Sequence, residues 1–492
     1  MPTRDRGLKR LADSVLLPGF QGTSPPDWLR RRLGDGLAGV VLFTRNIAGF
    51  AQVAELTAAL RAENPAVLVG VDEESGEVTR LEVATGSSRP GPYALGVVDD
   101  VVLTEEVACG LGADLAGVGV NVDFAPSADV NSNPDNPVIG LRAFGADPGL
   151  VARHAAAFIR GLQSAGVAAC AKHFPGHGDT SVDSHYSVPV VGDDFEGALL
   201  PFRAAIEAGV KTVMTGHLLV PQVDAEMPAT LSHQVLTRLL REELGFEGVI
   251  ITDGIEMAAV SSVYGLGGAS AMAIAAGADA ICVGGENSDE LSAIVIRNAI
   301  VDAVVEGRLP EERLHDAARR TSALGAWAAG GVRSAGSPRA EEIGLHAARR
   351  AVKVTRRSAA PVLPITSAPH VIELSPEMNL AIDKKTPWGV GEPLSKLMPG
   401  TVVTRLQGAD GPALENLLSS TNGRPMVIVA RDAHRYPWQL QAIEHLLCAR
   451  PESVVVEMGL PERSDLGAVH IATYGSARVC GQAAAEVITG LS

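Results

Sequence analysis

Short apolar runs recur along the first two-thirds of the chain, each followed by Ala-, Leu-, Glu- and Arg-rich sequence at helical spacing. They fall at 14–19, 39–43, 67–71, 118–124, 167–171, 211–214, 248–251 and 278–283. Strands alternating with helices predict a parallel sheet. Eight such units over about 330 residues predict a closed (β/α)8 TIM-type barrel, with an open doubly wound sheet as the alternative. Around 327–337 small residues take over, which reads as an exposed connection, and a helix is expected over 341–352. Further apolar runs at 371–374, 402–404, 426–430 and 454–458, with a helical pattern at 438–450, predict a smaller α/β sandwich. The expected division is a barrel over 1–332, a linker over 333–345 and the sandwich domain over 346–492.

Polar residues gather where the apolar runs stop. The second run ends in Thr44-Arg45-Asn46, the third in Asp72-Glu73-Glu74, the fifth in Lys172-His173, the sixth in Thr215-Gly216-His217 and the seventh in Thr252-Asp253-Gly254. Carboxyl ends of barrel strands are where active sites are built, although any one of these residues could instead cap a helix. The fifth run opens into Lys172-His173-Phe174-Pro175-Gly176-His177-Gly178-Asp179-Thr180-Ser181-Val182-Asp183-Ser184-His185, which no hydrophobic period explains.

Composition narrows the function classes. A formal net charge of −16 disfavours nucleic acid or an anionic membrane as the main partner. Five scattered cysteines without a CxxC spacing suggest neither a disulfide framework nor a zinc knuckle, and read as reduced, mostly buried thiols. No signal peptide or bilayer-spanning segment is expected, which makes the cytoplasm the default location.

Four chemistries are open to the polar residues. Asp253 could cap the next helix, or attack an electrophilic carbon as a nucleophile. Asp183 and His185 could form an ordinary loop turn, or an acid/base pair in which the carboxylate orients and stabilises the imidazolium. His173, His177, Asp179, Asp183 and His185 could bind zinc, but their spacing matches no HExxH helix and the loop is interrupted by proline and glycine. Asp72, Arg80, Arg142 and Lys172 offer the acceptors and forked donors that sugar hydroxyls need, or else make surface salt bridges.

Taken together, these segments resemble glycoside hydrolase family 3, in particular its N-acetyl-β-glucosaminidase branch. The resemblance covers roughly residues 12–290. It is carried by Gly39 to Asn46, Val71 to Arg80, Val122-Asp123-Phe124-Ala125-Pro126, the Lys172-to-His185 loop and Gly248 to Met257. It implies that Asp253 forms a covalent glycosyl-enzyme with retention, and that His185, supported by Asp183, is the acid/base. Asp72, Arg80, Arg142, Lys172 and His173 would hold the sugar, and His217 falls on a family position near the pocket. The implied substrate is a small oligosaccharide or glycoconjugate ending in β-linked N-acetylglucosamine, of cell-wall, chitin or glycoprotein origin, with no cofactor and no metal. An aromatic content of 4% leaves few rings for a polymer track.

A phosphorylase cutting the same bond is the nearest alternative, because a histidine acid/base need not repel incoming phosphate. A metal hydrolase or a silent sugar-binding protein stands further off. The chain departs from the family pattern at Glu74-Ser75-Gly76 (for Glu-Gly-Gly), Asp253-Gly254 (for Asp-Asp) and Arg142-Ala143 (for Arg-Ser). In Ala347-Ala348-Arg349-Arg350-Ala351-Val352 the C-terminal part resembles the sandwich of two-domain members, with a packing, substrate-rim or assembly role, which leaves a homodimer open.

Overall fold

The computed structural model describes residues 2–184, 186–192, 194–285, 287–330, 340–357, 362–408, 410–421 and 423–491. These form two compact units. The first comprises the described residues of Met1–Glu74, Val101–Ile139 and Ala143–Pro338; the second comprises those of Ser75–Asp100, Gly140–Arg142 and Arg339–Ser492.

In the first unit every expected run becomes a strand: β1 (Leu16–Pro18), β2 (Gly39–Leu42), β3 (Leu68–Val71), β4 (Val122–Asp123), β5 (Ala168–Phe174), β6 (Thr212–Thr215), β7 (Val249–Thr252) and β8 (Ile281–Val283). Strands β2 to β7 form one parallel sheet in chain order. A bridge from Ile251 to Ala280 joins β7 to the β8 segment, β8 pairs with β1, and the Ala38 N–H donates to Asp13 C=O beside β1 and β2 (3.2 Å). The strands thus curl into a TIM-type barrel. Leu17, Val41, Leu68, Val122, Cys170, Met214, Ile251 and Cys282 supply one inward side chain per strand, joined by Phe124, and Leu324 of the helix Glu311–Gly330 is part of the same cluster. The interior is therefore solid, and chemistry is confined to the rim.

In the second unit, β10 (His370–Leu374), β11 (Val402–Leu406), β12 (Met426–Ala430), β13 (Val454–Glu457) and β14 (Val469–Ala472) are parallel in the order β11-β10-β12-β13-β14, with β9 (Lys353–Arg356) antiparallel on the β14 edge. Val371, Val427, Val429, Val454 and Val456 pack on one face, and Ile372, Leu374, Ile428 and Val455 on the other. Helices cover both faces, giving a three-layer sandwich.

Three expectations change. The residues expected as connection are helical up to Gly330 and again from Ala340, so the 333–345 linker is already helix in its latter part; 331–339 lie outside the described residues. Residues 75–100 and 140–142 belong to the second unit, not the barrel, because Glu77 Oε1 accepts from Ser476 N (2.7 Å) and Arg350 Nη1 donates to Asp100 Oδ2 (2.7 Å). The helix Ala258–Ala276 does reach the length and mean hydropathy (1.4) of a membrane span. It is kinked at Gly265 and is the connection between β7 and β8, lying against the helix Glu290–Val305. Cys170, Cys282 and Cys480 are buried while Cys109 and Cys448 are exposed, and all five are free.

Candidate active site

Five of the sequence-selected residues stand at the carboxyl ends of four barrel strands. Asp72 follows β3, Lys172 and His173 lie near the end of β5, His217 follows β6 and Asp253 follows β7. Parallel pairing delivers them to one rim: Val71 pairs with Asp123, Phe174 with Thr215, and Thr215 with Thr252. The β5–β6 register shifts between Ala171 and Phe174, the irregularity that re-aims side chains next to functional sites.

Lys172 is buried, and its ammonium lies 2.7 Å from Asp72 Oδ1 and 2.6 Å from Glu74 Oε1. Burial of a cation demands such partners. Asp123, behind them, is wholly buried and accepts the Glu73 N–H (3.0 Å). Burial is the main reason its carboxyl titrates well above the usual range, with the Glu73 carboxylate adding to the rise.

His173 is held by Asp129, whose Oδ2 lies 2.8 Å from Nδ1. The same carboxylate accepts the backbone N–H of His173 (3.2 Å) and of His177 (2.7 Å), and the Ser127 hydroxyl (2.9 Å). Burial pushes Asp129 up, but the His173 charge and hydrogen bond, followed by His177, outweigh it and hold the carboxyl below its ordinary value. His177 is fully engaged by hydroxyls, Nδ1 by Thr180 (2.6 Å) and Nε2 by Ser184 (3.1 Å), which makes it a brace of the loop. Asn136 adds bonds from Nδ2 to the carbonyls of His177 (2.8 Å) and Thr180 (3.0 Å). Gly178 has a steric reason: a Cβ there would stand 1.9 Å from the Val130 carbonyl oxygen.

Asp183 is buried on this braced loop, and its carbonyl accepts the Tyr186 N–H (3.1 Å). His185 lies outside the described residues. Half-buried Asp253 accepts the Gly254 N–H at Oδ1 (2.7 Å), while its own N–H donates to Thr215 C=O (3.2 Å). His217, expected near the pocket, has Nδ1 engaged by Thr230 Oγ1 (2.8 Å) and Nε2 by Gly254 C=O (2.9 Å), and so positions the Asp253–Gly254 turn. Arg80 and Arg142 are buried in the second unit, where Arg80 Nη2 donates to Ala381 C=O (3.0 Å).

Sequence reasoning missed Asp129, Glu74 and Glu256. Glu256 Oε1 accepts the Gly284 N–H (3.0 Å) and also that of Gly285, fastening the β7 and β8 loops together. The carboxylate also fills the space beside Gly254, within 3.2 Å of where a Cβ would stand, which explains a small residue there in place of a second aspartate. Asp129 could have been noticed as a charge set between apolar Ala128 and Val130 just past a strand.

Comparison with known proteins bears on the whole arrangement. Residues 30–324 match the model described as "Glycosyl hydrolase family 3 N terminal domain". Beta-hexosaminidase A of Pseudoalteromonas piscicida is 33% identical over 61% of this chain, and the match spans only 55% of that protein. Beta-hexosaminidase of Thiobacillus denitrificans is 37% identical over 61% of this chain and 86% of its own length. The solved structure of a glycoside hydrolase family 3 β-N-acetylglucosaminidase from Paenibacillus sp. str. FPU-7 superposes with a TM-score of 0.87 at 34% identity, covering 98% of this chain and 96% of that one. With a family model spanning more than half its length and the Lys172, His173 and Asp253 positions standing on one barrel rim, this chain belongs to glycoside hydrolase family 3.

Proposed function

We propose that this protein is a retaining exo-β-N-acetylglucosaminidase that removes terminal β-linked N-acetylglucosamine from small glycans. The observation that carries the reading is the rim itself. A carboxylate just past β7, Asp253, is aimed by its neighbour's N–H, and stands in the same strand-end array as the Lys172–Asp72–Glu74 cluster. Relatives named beta-hexosaminidase and β-N-acetylglucosaminidase support the acetamido sugar over plain glucose.

In this reading Asp253 attacks the anomeric carbon as the C–O bond to the aglycone breaks, and His185 gives its proton to the departing oxygen. The imidazole then takes a proton from water, which displaces Asp253 and restores the carboxylate with net retention. Asp183 stabilises the imidazolium. Asp72, Lys172 and His173 take the sugar hydroxyls, while His217 keeps the Gly254 turn in place. Five free thiols support a reducing, cytoplasmic setting and fragments of cell-wall recycling as substrates, which fractionation of the native host would check.

The test is mass spectrometry after incubation with a slow 2-acetamido-5-fluoro glycoside. The label is expected on Asp253, and turnover of an aryl N-acetyl-β-glucosaminide is expected to disappear in Asp253→Ala. A label elsewhere, or faster cleavage of the aryl β-glucoside, refutes the reading. The same assay run with phosphate separates hydrolysis from phosphorolysis, since only the latter gives sugar 1-phosphate.

A further inference from the structure

The parallel strands of the second unit run in the order β11-β10-β12-β13-β14, so the chain winds first to one side of β10 and then to the other. In open parallel sheets, the crevice outside the carboxyl ends at such a reversal is where ligands lodge. A cavity of about 720 Å³ lies at that place. Its wall includes Thr386 and Trp388 of the segment after β10, Arg405 near the end of β11, Arg431 just after β12, and Glu77. The volume is in the range of small-molecule sites.

The interior carries a cation, Arg431, whose charge faces the buried Glu77 carboxylate but which, among the described residues, makes no hydrogen bond to a side-chain oxygen. Arg431 is only 5% exposed, yet among the described residues its guanidinium meets just the Met378 thioether (Nη1 to Sδ, 3.0 Å) and, at 3.9 Å from Nε, Asp432 Oδ2. A thioether is a weak acceptor and 3.9 Å is beyond a hydrogen bond. A buried guanidinium so poorly matched is costly, and a planar oxyanion is what its forked donors fit. Arg405, by contrast, is committed to Glu373 at 3.0 Å and 2.6 Å. The Thr386 hydroxyl on the cavity wall is buried and has no hydrogen-bond partner among the described residues. Among the described residues Glu77 takes its hydrogen bonds, both from Ser476, at Oε1, so its second oxygen is available to a ligand beside Arg431. Trp388 contributes an aromatic surface. Three acids, Glu77, Glu377 and Asp383, balance most of the lining cations, which argues against a polyanion.

We propose that this cavity is a second ligand site, taking a sugar-sized polyol that bears one oxyanion: Arg431 grips the oxyanion, and Thr386 and Glu77 meet hydroxyls. A carboxylated sugar and a sugar phosphate share this chemistry. Calorimetric titration of the full chain with gluconate, glucose 6-phosphate and neutral glucose distinguishes them. One or both anionic sugars should bind saturably and glucose should not, with at least about tenfold weaker binding in Arg431→Met. Saturation by gluconate alone assigns a sugar acid, and by glucose 6-phosphate alone a sugar phosphate. The proposal is overturned if neither anion saturates the wild-type protein, if glucose binds as well as they do, or if binding survives Arg431→Met. Should Arg431→Met fail to fold by circular dichroism, Thr386→Val carries the test. A several-fold loss of affinity supports the site, and unchanged affinity overturns it.

Discussion

Replacing Lys172 by Met keeps the volume of the side chain and deletes the charge that two carboxylates share. The cation lies 2.6 Å from Glu74 and 2.7 Å from Asp72, on a side chain 2% exposed, with Glu74 1% and Asp72 24% exposed. Asp72 can recover hydration; Glu74 cannot, so the cost falls mainly on it. Breaking a buried pair by removing one member typically costs about 3–5 kcal/mol, and the partial exposure of Asp72 sets the expectation near the lower end, about 3 kcal/mol. That is a large fraction of an ordinary domain's stability. Adding Glu74→Gln should restore about 1–2 kcal/mol, since the buried charge no longer needs an opposite. Hydrogen–deuterium exchange of the β3 and β5 amides localises the measurement to the barrel, with urea midpoints as a second reading. Activity toward the aryl N-acetyl-β-glucosaminide should fall in Lys172→Met and stay low in the double variant, because in the proposed reading the ammonium also meets the sugar, a use that Glu74→Gln does not restore. A destabilisation below about 1 kcal/mol, or no coupling between the two substitutions, would refute the claim that this pair holds the rim together.

Three further outcomes follow from the same physics. Ser75 sits at φ 64, where its hydroxyl donates to Pro90 C=O (3.0 Å). Ser75→Gly trades about 1–2 kcal/mol of left-handed strain against about 1 kcal/mol of hydrogen bond and should be near neutral, whereas Ser75→Val should lower the melting temperature clearly. Glu457 is pushed up to about 8, by burial first and Asp432 next, so its contribution is full below the unfolded value of 4.5 and is lost as pH rises through about 8; denaturation of Glu457→Gln between pH 5 and 8 should show a flatter profile than wild type. Asp129→Asn replaces an oxygen that accepts from His173 or His177 with an amide donor. It should cost about 3 kcal/mol, raise KM, and remove a stabilisation that in the wild type is present above pH 3.8 and lost as pH falls through the depressed carboxyl value.

Strand identity in both units was legible because β-branched and apolar runs bounded by glycine and polar residues leave little choice of conformation, and β1 to β8 fall within one or a few residues of their predicted places. Strands β9 (Lys-Val-Thr-Arg) and β14 (Val-His-Ile-Ala) escaped because an edge position and a buried histidine interrupt the apolar signal; His470, held down to about 4 chiefly by burial, is neutral in its strand. The kinked helix Ala258–Ala276 shows the reverse case, where an apolar stretch long enough for a bilayer is used by a barrel.

Sequence by itself determined which chemical groups reach a strand end, since each is placed by the local run that precedes it. Tertiary structure alone decided what those groups do there. The burial of Lys172 between carboxylates, the Asp129 clamp on His173 and His177, the withdrawal of His217 into the Gly254 turn and the partition of Arg80 and Arg142 into the second unit all join residues far apart along the chain. Periodicity reports the environment of one segment at a time. Charge pairing and desolvation depend on neighbours brought in from elsewhere, and so they appear only once the strands are closed.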